Sequence, residues 1–399
     1  METRSKRSIP IARPSFAGDE IESIKMALER GWVSQGPTVE RFEQAVAEYV
    51  GCRHAVAISS CTTGLHVAAL IHGIGPGDEV ICPSYTFIAT SNGMRHAGAD
   101  AQFVDIDPLT LNIDPALTAE FIAENYSSEL RNRKTGKKLK AILIVHQIGI
   151  AADIDAFKSL ADKYGIVLLE DSACGIGSEY KGTKLGGSGN LNVLSFHPRK
   201  VITTGEGGMI LTDDAELAEK ARVYRGHGAS ISDYVRHSSD TPLYESYNVV
   251  GYNYRMTDIQ AALGLSQLAM LDSFVRRRIE IATRYNEAFR KLENIRLIAA
   301  PGYATLWNYQ SYPIILEGAS REERDEMMTV LAQNGVSTRR GIPPIHKEPA
   351  YNYDLTLKHT ERLSDTSIFL PIFPQMDEDD VAYVIEHVEK AVRSVGKKF

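Results

Sequence analysis

Ile166-Val-Leu-Leu-Glu-Asp-Ser172 is a run of four apolar residues that stops on two carboxylates. Such a run predicts a buried strand, Ile166 to Leu169, and α/β sheets hold ligands at the carboxyl ends of their strands. The pattern repeats outward from this point. His54 to Ser59 reads as a strand, followed by a helix from Thr63 to His72 with Leu65, Ala68, Ala69 and His72 at helical spacing. Glu79 to Cys82, Gln102 to Ile106 and Ala141 to Val145 read as further strands, and Thr86 to His96 as a helix. Met209 to Leu211 adds a short strand. This alternation predicts an α/β fold whose mostly parallel sheet is covered by helices on both faces. Gly73-Ile-Gly-Pro-Gly77 follows a helix and precedes a strand, the reverse of a nucleotide-binding fingerprint, and reads as a turn.

The 399 residues are 43% hydrophobic and 24% charged, which excludes a disordered chain, a collagen and a small disulfide scaffold. At ~150 residues per domain, two or three domains are expected. The net charge of −7 disfavours a broad nucleic-acid surface, yet it leaves room for a local anion site. No apolar run reaches the ~18 residues of a spanning helix. METRSKRSIPIARPSF has basic residues with no apolar segment behind them, so no signal peptide or membrane association is expected. Cys52, Cys61, Cys82 and Cys174 form no CxxC pair and match no common zinc spacing. No metal is expected, and free thiols suit a reducing, cytoplasmic setting.

Beyond residue 257 the pattern changes. A long helix is predicted from Thr257 to about Leu292, with Leu265, Leu268, Leu271, Val275 and Ile279 on its buried face. Tyr312 to Leu316 reads as a strand and Arg321 to Gln333 as a helix. A terminal helix, Asp377 to Val395, carries Val381, Val384, Ile385 and Val388 on one face. Residues 1–264 are therefore read as a large domain and 265–399 as a smaller α+β domain. Arg131 to Lys140 reads as a basic, solvated loop.

Four segments carry candidate chemistry. Glu170 and Asp171 end the strand just described. Val193 to Met209 holds Lys200 among Ser195, Thr203 and Thr204, followed by Gly205, Gly207 and Gly208. A lysine there is either a surface charge or an amine nucleophile activated by its surroundings. Ala57 to Leu65 feeds Thr62 and Thr63 into a helix start, whose free N–H groups suit either a simple cap or a phosphate. Gly251 to Ala262 places Tyr252, Asn253, Tyr254 and Arg255 before the long helix, with Thr257 able to cap it.

These segments resemble the DegT/DnrJ/EryC1/StrS branch of the aspartate-aminotransferase-fold enzymes, which use pyridoxal 5′-phosphate. The collinear pieces are GPTVERFEQAVAEYVG, SSCTTGLHVAAL, CPSYTFIATSN, FVDIDPLTLNID, AILIVHQIG, EDSACGIGS, SFHPRKVITTGEGGM, GYNYRMTDIQAALG and LPIFP, and they run from about residue 8 to 390. The resemblance implies a fold type I architecture with a seven-stranded sheet in the large, cofactor-binding domain. It implies that Lys200 bonds to the cofactor aldehyde and that Asp171 pairs with the pyridine nitrogen. Thr62, Thr63 and Ser195 would hold the phosphate, and Phe87 would stack on the ring. Asn253 would reach the cofactor of a partner subunit, so a homodimer with shared active sites is implied. His146 falls near the site. Cys174 stands where relatives often have Gln or His, on the side of the ring oxygen. Cys61 replaces a common glycine, and the basic run from Arg131 looks like an insertion. Dehydratases of the same branch carry His in place of the lysine, so Lys200 implies amino transfer rather than dehydration.

The implied reaction moves an amino group from L-glutamate to a nucleotide-linked keto sugar, most simply a 4-keto-6-deoxyhexose. Tyr309, Gln310, Arg339, Arg340 and His346 are candidates for the acceptor pocket, since arginine pairs bidentately with diphosphate. The Trp32 to Pro37 loop is expected near the site. A cyclitol or other non-nucleotide ketone is the alternative acceptor, and a non-catalytic regulator is a third reading that Lys200, Asp171 and Ser195 disfavour.

Overall fold

The computed structural model describes residues 7–16 and 18–395, so Met1 to Lys6 of the basic start and the last four residues lie outside the described residues. Helices α1 (Glu20–Glu29) and α2 (Pro37–Val50) come first. Then follow β1 (His54–Ile58), α3 (Cys61–Ile71), β2 (Asp78–Pro83), α4 (Ala89–His96), β3 (Asp100–Val104), α5 (Pro115–Asn125), β4 (Lys138–Val145), α6 (Ile154–Tyr164) and β5 (Val167–Asp171). A short hairpin, β6 (Glu179–Tyr180) and β7 (Thr183–Lys184), leads to β8 (Leu191–Ser195), β9 (Gly208–Thr212), α7 (Ala215–Arg225), α8 (Asp233–His237) and the long α9 (Asp258–Phe289). The chain ends with β10 (Ile295–Leu297), β11 (Tyr312–Leu316), α10 (Arg321–Gln333), β12 (Arg339–Arg340), α11 (Lys358–Thr366), β13 (Ser367–Leu370) and α12 (Glu378–Val395).

The main sheet has seven strands in the order β1-β9-β8-β5-β4-β2-β3, and only β9 runs against its neighbours. The expected mostly parallel α/β architecture is what the chain adopts. Side chains alternate across the pleat, and both faces are apolar because both are covered. Ala55 and Ala57 of β1, Met209 and Leu211 of β9 and Leu194 of β8 pack against α2 and α9. Val56, Ile58, Ile210 and Val193 face the other way, into the cluster that holds α3, α4 and α7. Reversal of β9 places Gly208 opposite both Ser195 and Ile58, so the carboxyl ends of β1, β5 and β8 and the start of β9 meet at one edge.

The second sheet is antiparallel, in the order β10-β11-β13-β12. Its core joins α9, α10 and α12, and it also takes Ile9, which bridges to Val336. Helix α9 runs through residue 265 without a break.

Two expectations need correction. Of the α9 stripe, only Leu271 and Val275 are buried, while Leu265, Leu268 and Ile279 are half-buried. The buried face includes Gln267 and Arg278, which find partners in other segments: Gln267 donates to the Ser15 carbonyl at 2.7 Å, and Arg278 Nη1 to the Ile372 carbonyl at 3.0 Å. The basic run is not a simple solvated loop. Lys138 opens β4 and Leu139 is buried. Asn132 and Thr135 donate to the buried Glu79 carboxylate at 2.9 and 2.7 Å.

Candidate active site

Strand alternation decides which of the two β5 carboxylates reaches the sheet edge. Asp171 falls on the face covered by α3 and α4, and Glu170 on the opposite face. There the Glu170 carboxylate accepts from His146 Nε2 at 2.9 Å, Ser188 Oγ at 2.7 Å and Asn190 Nδ2 at 2.6 Å. Burial pushes the Glu170 pKa up, but the three donors more than offset it, and the net direction is down. His146 Nδ1 accepts from the Ala152 N–H at 3.0 Å, which leaves the proton on Nε2, facing Glu170. His146 lies near the site as expected, its backbone N–H donating to the Asp171 carbonyl at 3.1 Å, but its ring is fully buried and uses both nitrogens in this network.

Asp171 is 4% exposed and anchored on two sides. Its Oδ2 accepts from Thr90 Oγ1 at 2.7 Å, and Oδ1 accepts from the Ala173 N–H at 3.0 Å. Cys61 Sγ lies 3.9 Å from Oδ1. Burial, then the Asp171 charge, pushes the Cys61 thiol well up, so it stays neutral beside the carboxylate. Thr90 sits on α4, which begins at Ala89 rather than at the expected Thr86; residues 86–88 form the turn before it, and Thr86 Oγ1 is 3.0 Å from Thr90 Oγ1.

Lys200 closes a turn after β8, its N–H donating to the His197 carbonyl at 2.8 Å. Its Nζ lies 3.2 Å from Cys174 Sγ. Burial pulls the Lys200 pKa down, but Cys174, Cys61 and Asp171 pull it up and prevail. Thus Lys200, Asp171, Cys174 and Cys61 form one cluster.

Beside it, Ser60 and Thr63 form a reciprocal capping box at the start of α3, a motif whose cap is worth ~1 kcal/mol. The first-turn N–H groups of Cys61 and Thr62 precede the intrahelical ladder. A Cβ at Gly208 would come within 2.7 Å of the Cys61 nitrogen, so only glycine lets β9 lie against this helix end. Ser195 is on the same face, and its Oγ accepts from the His197 N–H at 3.4 Å. Phe87 projects beside the cluster with 70% of its surface exposed.

Asn253 is exposed and bridges Gly226. Its neighbour Tyr254 accepts from the Ser59 N–H at 2.8 Å, which ties the segment to the start of α3. The Trp32 to Pro37 loop is fixed from α9: the Asp258 carboxylate accepts from the Gly36, Thr38 and Val39 N–H groups at 2.8, 3.1 and 3.0 Å. Gln260, also on α9, donates to the Glu206 carbonyl in the lysine segment at 2.7 Å.

The acceptor candidates divide. Tyr309, at φ +46°, stacks on Trp307 with ring centroids 3.9 Å apart. Gln310 Nε2 donates to the Arg199 carbonyl, one residue from Lys200, at 2.8 Å. Arg339 and Arg340 form the exposed edge strand β12. His346, expected to touch the acceptor, is fully buried, with Ser84 Oγ 2.7 Å from Nδ1 and Glu361 Oε1 3.1 Å from Nε2. Neither nitrogen is left for a ligand. Thr90 was missed by sequence reasoning, because a threonine at the start of a helix carries no signal of a partner 81 residues away.

The architecture is that of a fold type I pyridoxal-phosphate-dependent aminotransferase. The chain belongs to the DegT/DnrJ/EryC1/StrS aminotransferase family, whose model matches residues 14–389. It is 36% identical over 407 residues to the spore coat polysaccharide biosynthesis protein SpsC of Bacillus subtilis (strain 168), covering 98% of this chain and 99% of that one. Among solved structures, Helicobacter pylori PseC, an aminotransferase involved in the biosynthesis of pseudoaminic acid, is 26% identical with a TM-score of 0.87, over 97% of this chain and 100% of PseC. The PMP-form of Streptococcus pneumoniae Spr1654 is 27% identical with a TM-score of 0.89 over 97% of this chain and 100% of that one, and a PLP-form of the same protein is 27% identical with a TM-score of 0.87 over 98% and 100%.

The residues present fit pyridoxal phosphate. The cluster offers an amine in Lys200 and a fixed carboxylate in Asp171 for a ring nitrogen. A helix start that Gly208 keeps clear suits a phosphate, and the exposed Phe87 offers an aromatic face.

Proposed function

We propose that the protein transfers an amino group from L-glutamate to a nucleotide-linked keto sugar, with a 4-keto-6-deoxyhexose as acceptor. The observation that carries this reading is the Lys200–Asp171 cluster at the shared edge of β5, β8 and β9, inside a chain of this aminotransferase family. The polysaccharide role in the name of SpsC and the pseudoaminic acid role in that of PseC support a sugar acceptor.

When bound, pyridoxal phosphate supplies an aldehyde carbon that carries the amine and a ring that accepts electrons from the substrate carbon. The protein's residues do the rest. Lys200 would be the amine that holds the cofactor; once displaced by the donor it would take a proton from the substrate α-carbon and deliver it to the cofactor's former aldehyde carbon, as base and then acid. Asp171 keeps the ring nitrogen protonated, because Thr90 and the Ala173 N–H stabilise its carboxylate. Thr62, Thr63 and Ser195 hold the phosphate and Phe87 covers the ring. Cys174 stays at the Lys200 side of the ring.

Asn253 completes the phosphate site of a second subunit, so the working unit is a homodimer. Its exposed position supports this, as do the uncovered Phe16, Ile21, Leu28, Tyr244 and Val250. Tyr309 and Arg340 contact the acceptor, with Arg340 on its diphosphate. His346 is left out of this assignment. Four free thiols support a cytoplasmic setting, and no helix of the described residues is long and apolar enough to cross a membrane.

The test is an assay of the purified protein with glutamate and a panel of nucleotide-linked keto sugars and cyclitol ketones, following 2-oxoglutarate release. Turnover with a nucleotide-linked 4-keto sugar is expected. Turnover confined to cyclitol ketones would replace the acceptor assignment.

A further inference from the structure

A directed chain of hydroxyls stands behind Asp171. Thr90 Oγ1 donates to Oδ2 at 2.7 Å, and an ionised carboxylate can only accept. That bond uses the one hydroxyl proton of Thr90. The 3.0 Å contact between the two threonines must therefore run from Thr86 to Thr90. Both residues are almost completely buried, Thr86 at 3% and Thr90 at 1% exposed, so water does not replace either bond. The same short segment carries Phe87 at its exposed surface.

We propose that Thr90, oriented by Thr86, is a positioning residue that fixes the Asp171 carboxylate toward the ring nitrogen of the cofactor. This rests on the assignment of Asp171 as the partner of that nitrogen. One turn of chain, residues 86–90, then sets both the ring-stacking face and the ring-nitrogen partner. The other charged or titratable groups around Asp171 are Lys200 and Cys174 from the neighbouring loops, Cys61 from α3 and Cys82 from β2. Cys61 and Cys82 are pushed up by burial and remain neutral thiols; Cys61 Sγ is a long donor to Oδ1 at 3.9 Å, so the short donors to the carboxylate are the Thr90 hydroxyl and the Ala173 N–H.

The test compares Thr90→Val, which keeps the volume and removes the donor, with Thr90→Ser, which keeps the donor. Pyridoxal phosphate is titrated into the cofactor-free full chain by absorbance at pH 8. The melting temperature of each variant reports folding. Without the donor the carboxylate is no longer held toward the ring nitrogen, so cofactor affinity in Thr90→Val should drop about 10-fold at pH 8, and Thr90→Ser should restore it. Unchanged affinity in Thr90→Val, or failure of Thr90→Ser to restore it, would overturn the proposal. If Thr90→Val does not fold, Thr86→Val carries the test: a smaller loss of affinity supports the chain, and no loss overturns it. Asp171→Asn separates the two levels. If that variant binds the cofactor as the parent does, the assignment of Asp171 fails; if it binds weakly while Thr90→Val is normal, only the role of Thr90 fails.

Discussion

Lys200 Nζ lies 3.2 Å from Cys174 Sγ, within hydrogen-bond reach of the thiol. The lysine therefore faces a soft, weakly hydrogen-bonding thiol rather than an amide or imidazole. This pairing has a measurable consequence for how the lysine titrates.

Lys200 must be neutral to attack an aldehyde. Burial lowers its pKa, and Cys174 is the foremost of the neighbours that raise it. Cys174→Ala should therefore lower the pKa of Lys200 in the cofactor-free protein. The rate of pyridoxal phosphate capture, followed by stopped-flow absorbance across pH, should reach its half-maximum at lower pH in the variant. An unmoved midpoint would remove Cys174 from control of the lysine.

Arg340 tests the acceptor side. It is exposed and forms no ion pair among the described residues. Reversing its charge in Arg340→Glu should raise the Michaelis constant for the nucleotide-linked acceptor about 10-fold or more, as loss of a charge-assisted contact requires. The glutamate half-reaction should be unchanged. An unaltered acceptor constant would take Arg340 out of the pocket.

Glu79 tests the anchoring of the basic run from Arg131 to Lys140. Its carboxylate accepts from Tyr126 Oη at 2.7 Å, Asn132 Nδ2 at 2.9 Å, Thr135 Oγ1 at 2.7 Å and Gln102 Nε2 at 3.0 Å. Glu79→Ala strands these donors, and should cost about 3–5 kcal/mol in urea unfolding. Glu79→Gln should cost less, because one oxygen still accepts. A loss below about 1 kcal/mol for the alanine variant would contradict the anchor.

Glu170 sets an acid dependence. Its folded pKa lies below the ordinary carboxylate value of ~4.3. The stability it contributes is therefore complete above that value and is lost as pH falls through the lower folded one. Urea midpoints measured downward from pH 6 should fall less steeply in Glu170→Gln than in the parent. Equal slopes would show that the His146–Glu170 network is not part of the acid response.

The fold was legible in the sequence where local signals agree with tertiary ones. Tyr312–Leu316 and Arg321–Gln333 match expectation residue for residue, because apolar strand runs and helical periodicity are local. Asp171 was visible at the end of an apolar run, and the resemblance singled out Lys200. What was hidden depends on contacts distant in sequence. Gln267 and Arg278 break the hydrophobic pattern of α9 yet are buried, since their partners come from other segments. His346 stood among the acceptor candidates, but Ser84 and Glu361 satisfy it internally. Thr90 looked like an ordinary helix residue until α4 was packed against the end of β5.

The claim on which the functional account stands is that Lys200 is the cofactor-bearing amine. Cofactor-loaded protein can be treated with borohydride, which fixes a pyridoxyl group on the nitrogen that carries it, then digested and sequenced by mass spectrometry. The expected result is one modified peptide, bearing the pyridoxyl mass on Lys200. A label on a different lysine, or an unlabelled Lys200 in protein that had shown the bound-cofactor absorbance, would contradict the account.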